Sequence, residues 1–402
     1  MSKCDIHILT DEAVDLLKGM VAIPSQSFNE DEVCTHICEW MSNKGVIYNR
    51  RGNNIMARLS EQQGVDPKKF EGKPTLMLCA HIDTVSPSNE YSFDPYTPDY
   101  SKAAEVIGSE DIVAGLGSND DGASAVSMIA AFRYFKNIGK NHRENTLSQA
   151  SSSPSHCGQV CSLVFMTSQT DATTDILLVL SCEEERSGVN GMTGLWQEIK
   201  EKVDYAIVGE PTCMLAATSE RGLLVIDATA HGVSGHAARN EGVNAIEIAI
   251  KDIEAIKRHE FTKISPRMGK VNLNVTQINA GTAHNVIPDT CTFVIDIRPT
   301  EQYTNEEILN GLQSICSSEL KARNLSNRSS ATYDNSPLQT TAEKLGIETF
   351  SSPTTSDWMR IDCDAIKMGP GNSSRSHKKD EFVYVTEIEN GIRTYIEFIN
   401  NL

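Results

Sequence analysis

Three short apolar runs, each followed directly by acidic or imidazole side chains, constrain the fold of this chain more than any other feature. The runs are 76–80 (LMLCA), 175–180 (DILLVL) and 205–208 (YAIV). Such runs, without an amphipathic gap, are typical of strands buried on both faces of a parallel sheet. The groups that follow them are, in the same order, His81 and Asp83, then Glu183 to Glu185, then Glu210. Parallel strands present their carboxyl ends at one edge of a sheet, so the sequence predicts one site there.

Two further residues belong with these groups by chemistry. Residues 115–122 (GLGSNDDG) form a glycine-rich turn that contains Asp120, just before an apolar helix predicted at 123–135. The turn lacks the Gly-Lys-Ser/Thr ending of a phosphate loop and the spacing of a dinucleotide-binding loop, so we interpret it as a turn that presents Asp120. His377 lies in a loop after a short strand predicted at 365–369.

Imidazole and carboxylate groups in this combination suit Zn²⁺ first, with Co²⁺ or Mn²⁺ as alternatives. Taken one at a time, the residues leave simpler explanations open. His81 could be a core histidine that Asp83 merely orients from two residues along the strand, and Asp120 could cap a helix. Glu210 could serve an ordinary turn, and His377 could lie on the surface. Only the combination predicts a metal site.

From about residue 215 the sequence changes to alternating apolar and polar residues, which is typical of antiparallel strands with one buried face. Strands are predicted at 222–231, 271–280 and 291–298, and amphipathic helices at 245–259 and 304–322. We therefore expect a small α+β domain with a four-stranded antiparallel sheet at 215–326, inserted into a larger α/β domain formed by 1–214 and 327–402. Residues 141–174 are polar and rich in Ser and Thr, so we expect a surface insertion there.

The remaining elements follow from local helix and strand signals. Helices are predicted at 10–20, 29–44 and 385–400, a hairpin at 46–59 and a long polar loop at 86–112. The first helix is expected to begin at Thr10, because a threonine followed by two acidic residues is a typical N-terminal signal.

Composition argues against several classes of partner. The 402 residues carry a formal net charge of −18, with 54 acidic and 36 basic side chains, which argues against binding to nucleic acid or to anionic membrane surfaces. No apolar segment approaches the roughly 20 residues that span a bilayer, and the start does not read as a signal peptide. The 11 cysteines have no framework spacing, so we expect free thiols and a cytoplasmic location.

Six motifs in this order resemble the M20 family of dinuclear zinc peptidases and deacylases. They are HIDTV at 81–85, GLGSNDDG at 115–122, EEE at 183–185, GEPT at 209–212, GHAA at 235–238 and GPG…SH at 369–377. The resemblance covers almost the whole chain except 141–174. It implies a zinc-peptidase-like catalytic domain with a mostly parallel central sheet, formed by 1–214 and 327–402. Residues 215–326 would then be a lid and dimerisation domain, through which two chains form a homodimer.

The resemblance also implies two divalent metal ions, with Zn²⁺ the expected metal, and a ligand role for each matching residue. Asp120 would bridge both metals. His81 and Glu210 would complete one metal site, and Glu185 and His377 would complete the other.

Further residues receive catalytic roles from the same resemblance. Asp83 would orient His81, and Glu184 would act first as general base and then as general acid. His236 would reach the active site of the partner and stabilise the developing oxyanion. The residues expected to contact the substrate are Asn285, Arg298 and Gly371.

Together these residues imply hydrolysis of the amide bond of a small N-acylated amino acid. The segments GLGSNDDG, EEERSG and GHAARNEGVNA most resemble deacylases that act on N-acetylornithine or N-succinylornithine in arginine biosynthesis. A succinyl-diaminopimelate desuccinylase, or a dipeptidase or carboxypeptidase, is the alternative within the family. Outside this class the alternative is a non-catalytic binding protein, which the presence of Glu184 and of all five expected ligands disfavours.

Overall fold

The computed structural model describes residues 3–149, 174–239 and 241–402. The chain divides into two compact units. The first unit comprises Met1–Ala217, Tyr333–Thr349 and Ile361–Leu402, and the second comprises Thr218–Thr332 and Phe350–Arg360. The catalytic role expected for 1–214 and 327–402, and the lid role expected for 215–326, stay predictions.

The helices of the described residues alternate with strands through most of the first unit. They are α1 (Lys3–Val21), α2 (Asp31–Asn43), α3 (Tyr100–Ile107), α4 (Ala123–Gln149), α5 (Met192–Ile199), α6 (Ala245–Arg258), α7 (Asn305–Gln313), α8 (Pro337–Lys344) and α9 (Val385–Asn401). Among the described residues, no helix is both long enough and apolar enough to cross a membrane.

The strands of the described residues belong to four sheets, of nine, four, two and two strands. They are β1 (Asn49–Arg51), β2 (Asn54–Arg58), β3 (Thr75–His81), β4 (Ile112–Ala114), β5 (Asp175–Ser181), β6 (Tyr205–Val208), β7 (Ala216–Glu220), β8 (Leu224–His231), β9 (Gly235–His236), β10 (Asn272–Ala280), β11 (Val286–Ile287), β12 (Thr290–Arg298), β13 (Glu319–Ala322), β14 (Ser330–Ala331), β15 (Thr349–Ser352), β16 (Asp364–Lys367) and β17 (Phe382–Tyr384).

The first unit is built around a mixed, mostly parallel sheet with the order β1-β2-β5-β3-β6-β16. β3 is central, parallel to β5 on one side and to β6 on the other, and β16 is parallel to β6. Every residue of β3 is buried. The helices α1, α4 and α9 pack together, and Leu76, Leu78 and Ala80 of β3 belong to the same apolar core as these helices. This arrangement confirms the α/β fold predicted from the three apolar runs.

The second unit contains the predicted four-stranded antiparallel sheet, in the order β10-β12-β8-β13. Residues of β8 alternate between buried and half-buried, as expected for a sheet with one covered face. The buried face packs against α6 and α7, whose Ala249 and Ile308 join the apolar cluster of the strands. The α+β prediction for this part of the chain is therefore confirmed.

The fourth strand of this sheet lies where the sequence predicts the second half of a helix, so the helix prediction is wrong there. The helix expected at 304–322 ends at Gln313, and residues 319–322 form β13. Thr304 is the N-cap of α7, with a reciprocal capping box to Glu307. β13 pairs with β8, and its strand conformation is stabilised by hydrogen bonds to β8 and by burial of Leu320. These contacts are distant in sequence, so the local sequence of residues 319–322 does not indicate a strand.

Three other element bounds differ from the predictions. α1 begins at Lys3, so Thr10 is a buried position inside the helix and not its cap. The loop expected at 86–112 contains α3, which Asp99 caps by accepting hydrogen bonds from two backbone amides. α4 continues to Gln149, and most of the insertion expected at 141–174 lies outside the described residues.

Candidate metal centre

The structure brings the five predicted ligand side chains into two overlapping groups. His81, Asp120 and Glu210 form one group, and Asp120, Glu185 and His377 form the other. Within each group the potential ligand atoms all lie within 4.8 Å of one another. Asp120 is the member common to both groups.

Local structure explains why residues so distant in sequence meet. His81 is the last residue of β3, and Glu185 lies in a single helical turn that follows β5. Glu210 follows β6 by two residues. Because these three strands are adjacent and parallel, their carboxyl ends deliver the three side chains to one edge of the sheet. Asp120 reaches the same edge from the turn that precedes α4.

Asp120 faces the two imidazoles with different oxygens. Its Oδ1 lies 3.2 Å from Nε2 of His81, and its Oδ2 lies 3.7 Å from Nε2 of His377. The second imidazole also contacts Glu185, at 2.9 Å between Nε2 and Oε1. A carboxylate that presents one oxygen to each of two histidines has the arrangement expected of a bridge between two metal ions.

Electrostatics at this edge reflect crowding of acidic groups. Burial, followed by the nearby charge of Asp120, raises the pKa of Glu210 well above its ordinary value. Burial also acts to raise the pKa of Asp120, but hydrogen bonding and attraction to His81 outweigh it and lower that pKa. The hydrogen bond to Glu185 raises the pKa of His377 to about 9. The site therefore attracts positive charge to its carboxylates.

The donor set fits two divalent cations. Three carboxylates and two imidazoles are ligands that Zn²⁺, Co²⁺ and Mn²⁺ accept. Two cations would also offset the repulsion between the carboxyl groups of Asp120 and Glu210, which adds to burial in raising the pKa of Glu210. Which metal fills the site stays a prediction.

Asp83 contacts several other groups in addition to His81, which it was expected to orient. The ring Nδ1 of His81 lies 2.9 Å from the backbone oxygen of Asp83 and 3.5 Å from its carboxylate Oδ1. The carboxylate accepts hydrogen bonds from the backbone amides of Glu184 and Glu185, at 3.0 and 3.1 Å, and from the hydroxyl of Ser27 at 2.7 Å. Asp83 therefore positions the segment that carries the expected base.

Burial by itself would raise the pKa of Asp83, but its hydrogen bonds, together with the attraction of His81, hold that pKa below its ordinary value. Asp83 is 1% exposed, so its carboxylate is a buried, ionised acceptor. Glu184 is held through its backbone amide while its side chain is only half-buried.

One buried acid beside the site, Glu381, has no recognisable signal in the sequence. Glu381 is 2% exposed, and its Oε1 accepts hydrogen bonds from the backbone amides of Asn119 and Asp120, both at 3.0 Å. Burial and the charge of Asp120 raise the pKa of Glu381 to about 8. Its partners lie some 260 residues away, so no spacing or periodicity could have indicated this contact.

Glu183, the first acid of the 183–185 run, has a structural position. It is buried, and its carboxylate accepts hydrogen bonds from the backbone and side-chain nitrogens of Asn190. Its own backbone amide donates to the buried carboxylate of Glu30, at 3.1 Å. These contacts fix the start of the turn that delivers Glu184 and Glu185.

Gly371 lies where the chain passes close to Asn119. Its φ of +86° is in the left-handed region, and a Cβ at this position would lie 2.5 Å from Oδ1 of Asn119. The same oxygen accepts a hydrogen bond from the backbone amide of Asn372. Both observations explain why glycine is required here, and the expected contact of Gly371 with substrate stays a prediction.

The structure places the three remaining predicted residues in the second unit. His236 and Asn285 lie side by side, because β9 pairs with β11 and the amide of Ala237 donates to the backbone oxygen of Asn285. Both are exposed. Arg298 instead makes a two-point ion pair with Asp296, at 2.9 and 3.1 Å. A substrate carboxylate would have to share or displace this partner, and all three roles stay predictions.

The fold and the sequence both point to one class of protein. Residues 218–324 match the M20_dimer domain, described as the peptidase dimerisation domain. The chain also superposes, with a TM-score of 0.67, on the Bacillus subtilis YXEP protein, described as a dinuclear metal binding peptidase from the M20 family. That structure is 12% identical, and 98% of each chain is covered. This chain therefore has the α/β fold of the M20 peptidase family, together with that family's dimerisation domain.

Two relatives add detail to this class. A succinyl-diaminopimelate desuccinylase of Psychromonas ingrahamii is 28% identical over 346 residues, which cover 79% of this chain and 80% of the relative. An acetylornithine deacetylase of Myxococcus xanthus is 25% identical over 233 residues, which cover 53% of this chain and 61% of that protein. The chain is thus similar to M20 hydrolases of amide bonds.

Proposed function

We propose that this chain is a dinuclear metal-dependent hydrolase that cleaves the amide bond of an N-acylated amino acid. One observation carries the proposal: Asp120 belongs to both groups of candidate ligands and presents a different oxygen to each histidine. His81 and Glu210 would hold one ion with it, and Glu185 and His377 the other. When bound, two divalent ions would polarise the amide carbonyl and make a water molecule more acidic.

Glu184 performs the proton transfers in this proposal. It follows β5 directly before the ligand Glu185, and successive residues diverge, so one can face a metal while the other faces water. Glu184 takes a proton from the attacking water and gives it to the departing amine nitrogen. The backbone amides of Glu184 and Glu185 donate hydrogen bonds to the carboxylate of Asp83 and thereby fix the backbone of Glu184. This limits the motion that would separate the base from the water.

The second unit supplies the remaining groups. Similarity of residues 218–324 to the peptidase dimerisation domain supports a homodimer. In that dimer His236 would donate a hydrogen bond to the oxyanion in the partner's site, an interaction worth on the order of 3 kcal/mol. Asn285 and Arg298 would contact the carboxylate of the substrate amino acid, and Gly371, which belongs to the first unit, would also contact the substrate.

Two substrate classes are candidates. Succinyl-diaminopimelate is favoured by the relative that is similar over 79% of this chain. N-acetylornithine or N-succinylornithine is favoured by the segments GLGSNDDG, EEERSG and GHAARNEGVNA, and by the acetylornithine deacetylase that is similar over a shorter part. A place in arginine biosynthesis belongs to this second candidate and stays a prediction, as does the cytoplasmic location expected from the cysteines.

A deacylation screen tests the proposal. Purified protein is stripped of metal, reloaded with Zn²⁺ or Co²⁺, and supplied with succinyl-diaminopimelate, acetylornithine, succinylornithine and a dipeptide, while release of free amine is followed. Metal-dependent release from an acylated amino acid supports the proposal, and the preferred compound selects between the two candidates. Cleavage of the dipeptide alone, or of none of them, contradicts it.

Glu184→Gln is the matched variant for the same screen. Glutamine keeps the size of the side chain but cannot take a proton, so two metals should still bind while turnover falls by about 100-fold or more. Glu201→Gln, an exposed position after α5, is the control and should retain full activity. Near-normal turnover of Glu184→Gln would sink the assignment of this residue as the base.

A further inference from the structure

We propose that Arg375 is a positioning residue for His377 and thereby for one of the two metals. The inference rests on the two-metal site of the proposed function. His377 differs from the other candidate ligands in exposure, since its side chain is 55% exposed, against 2% for His81 and 9% for Asp120 and Glu185. It also lies in a loop, at a φ of +57°. No strand end fixes its place, so the loop itself must.

Arg375 lies two residues before His377 and ties this loop to α9. Its guanidinium donates to both carboxylate oxygens of Glu387, at 2.6 and 2.7 Å, and to the backbone oxygen of Phe382 at 3.1 Å. It also stacks over the ring of Phe382, at 4.6 Å from the ring centre. A planar guanidinium held at several points fixes direction as well as distance, which a single ion pair does not.

The partner of Arg375 is itself well fixed. Glu387 is in the first turn of α9, and its Oε2 accepts a hydrogen bond from the backbone amide of Tyr384. The helix that follows is buried through residues such as Ile388 and Ile392, which belong to the main apolar core. Arg375 thus connects the ligand loop to a rigid part of the first unit.

The beginning of the loop has a second anchor. Asn372 donates its backbone amide to Oδ1 of Asn119, at 2.9 Å, and accepts from Nδ2 of Asn119 at 3.2 Å. The segment between Asn372 and His377 is therefore held at its start by Asn119. Near its end it is held by Arg375 and by a longer hydrogen bond, 3.4 Å, from Nδ2 of Asn119 to the hydroxyl of Ser376. Without Arg375, the longer bond would be left to hold the end of the loop, and more of the ordering of the imidazole would have to occur when the metal binds.

This arrangement predicts a selective effect. Removal of groups that orient a ligand typically weakens metal binding 10- to 100-fold. Only the metal held by Glu185 and His377 should weaken, because His81 and Glu210 are held at the ends of buried strands. A merely structural role for Arg375 would instead weaken both metals together.

Metal titration of the stripped protein tests the inference without any use of activity. Zn²⁺ binding is measured by competition with a chelator, and Co²⁺ binding by the visible absorption of the ion, in wild type and in Arg375→Gln, Arg375→Lys and Glu387→Gln. Arg393→Gln is the matched control, because it removes an arginine–glutamate pair on α9 itself, with Glu389, and leaves the loop intact.

Wild type and Arg393→Gln should bind two metals tightly. Arg375→Gln and Glu387→Gln should bind one metal as tightly as wild type and the second at least 10-fold more weakly, with a smaller loss in Arg375→Lys. Two metals bound by Arg375→Gln within threefold of wild type, or equal weakening of both, would overturn the role of Arg375 and leave the proposed function standing. Fewer than two metals in wild type would overturn both.

Discussion

Replacement of Asp83 by asparagine tests how the general base is held. The substitution keeps the shape of the side chain but turns one acceptor oxygen into an NH₂ donor. Oδ1 of Asp83 accepts from the amide of Glu184, and Oδ2 accepts from the amide of Glu185 and the hydroxyl of Ser27. Whichever way the new amide is turned, one of the two backbone N–H groups faces a donor.

The expected loss of activity follows from the one backbone N–H group that loses its acceptor. A buried donor left without an acceptor costs about 1–3 kcal/mol. If the correctly placed 184–185 turn loses this amount, its population falls by roughly 5- to 150-fold, at about 1.4 kcal/mol for each factor of ten. We therefore expect kcat/KM to fall by about 10- to 100-fold and the free energy of unfolding to fall by about 1–3 kcal/mol.

The assay is kcat/KM for Asp83→Asn on the best substrate of the screen, with bound metal measured on the same samples. Ser27→Ala is the control, since it removes one hydroxyl donor and leaves both backbone amides paired with Asp83. The lost hydrogen bond has a charged acceptor and contributes about 1.5–3 kcal/mol to the free energy of unfolding. The kcat/KM of Ser27→Ala should nevertheless fall clearly less than that of Asp83→Asn, because the backbone amides of Glu184 and Glu185 keep their acceptor. A kcat/KM for Asp83→Asn within twofold of wild type, at full metal content, would refute the reasoning.

Two further predictions concern the histidines. The pKa of His377 is raised to about 9 by its hydrogen bond to Glu185, so in metal-free protein the imidazole must lose a proton before it binds a metal. Affinity for the second metal should rise between about pH 7 and 9 and then level off, and a flat profile would contradict this. The same raised pKa stabilises the metal-free fold below the ordinary value of 6.5, and this contribution disappears as the pH rises through about 9. For His236, the variants His236→Ala and Glu184→Gln should each be inactive alone but partly active when subunits exchange, and no recovery after proven exchange would exclude action across the dimer.

The sequence predicted the sheet of the first unit well because its central strands, such as β3 and β5, are buried along their whole length. A run such as Leu76 to Ala80 contains no polar residue, so it is readily recognised as a buried strand. The acidic or imidazole group that follows such a run indicates where the strand ends. Once three such ends are taken as adjacent, the meeting of His81, Glu185 and Glu210 follows from parallel pairing. The structure places these strands next to one another.

Other features depend on long-range contacts and could not be predicted. β13 is a short segment that becomes a strand only because β8 offers it backbone partners. Glu381 and Arg375 look like ordinary loop charges in the sequence, yet one is buried against the amide of Asp120 and the other is fixed on Glu387. Glu381 lies some 260 residues from its partner, and Arg375 lies in the part of the GPG…SH motif whose residues are left unspecified.

The most direct test of the central claim is an anomalous difference map from a crystal of the Co²⁺- or Zn²⁺-loaded protein, recorded at the absorption edge of the metal. The account predicts two peaks about 3.5–4 Å apart, one beside His81 and Glu210 and the other beside Glu185 and His377, with Asp120 between them. A single peak, or peaks that do not contact Asp120, would contradict it.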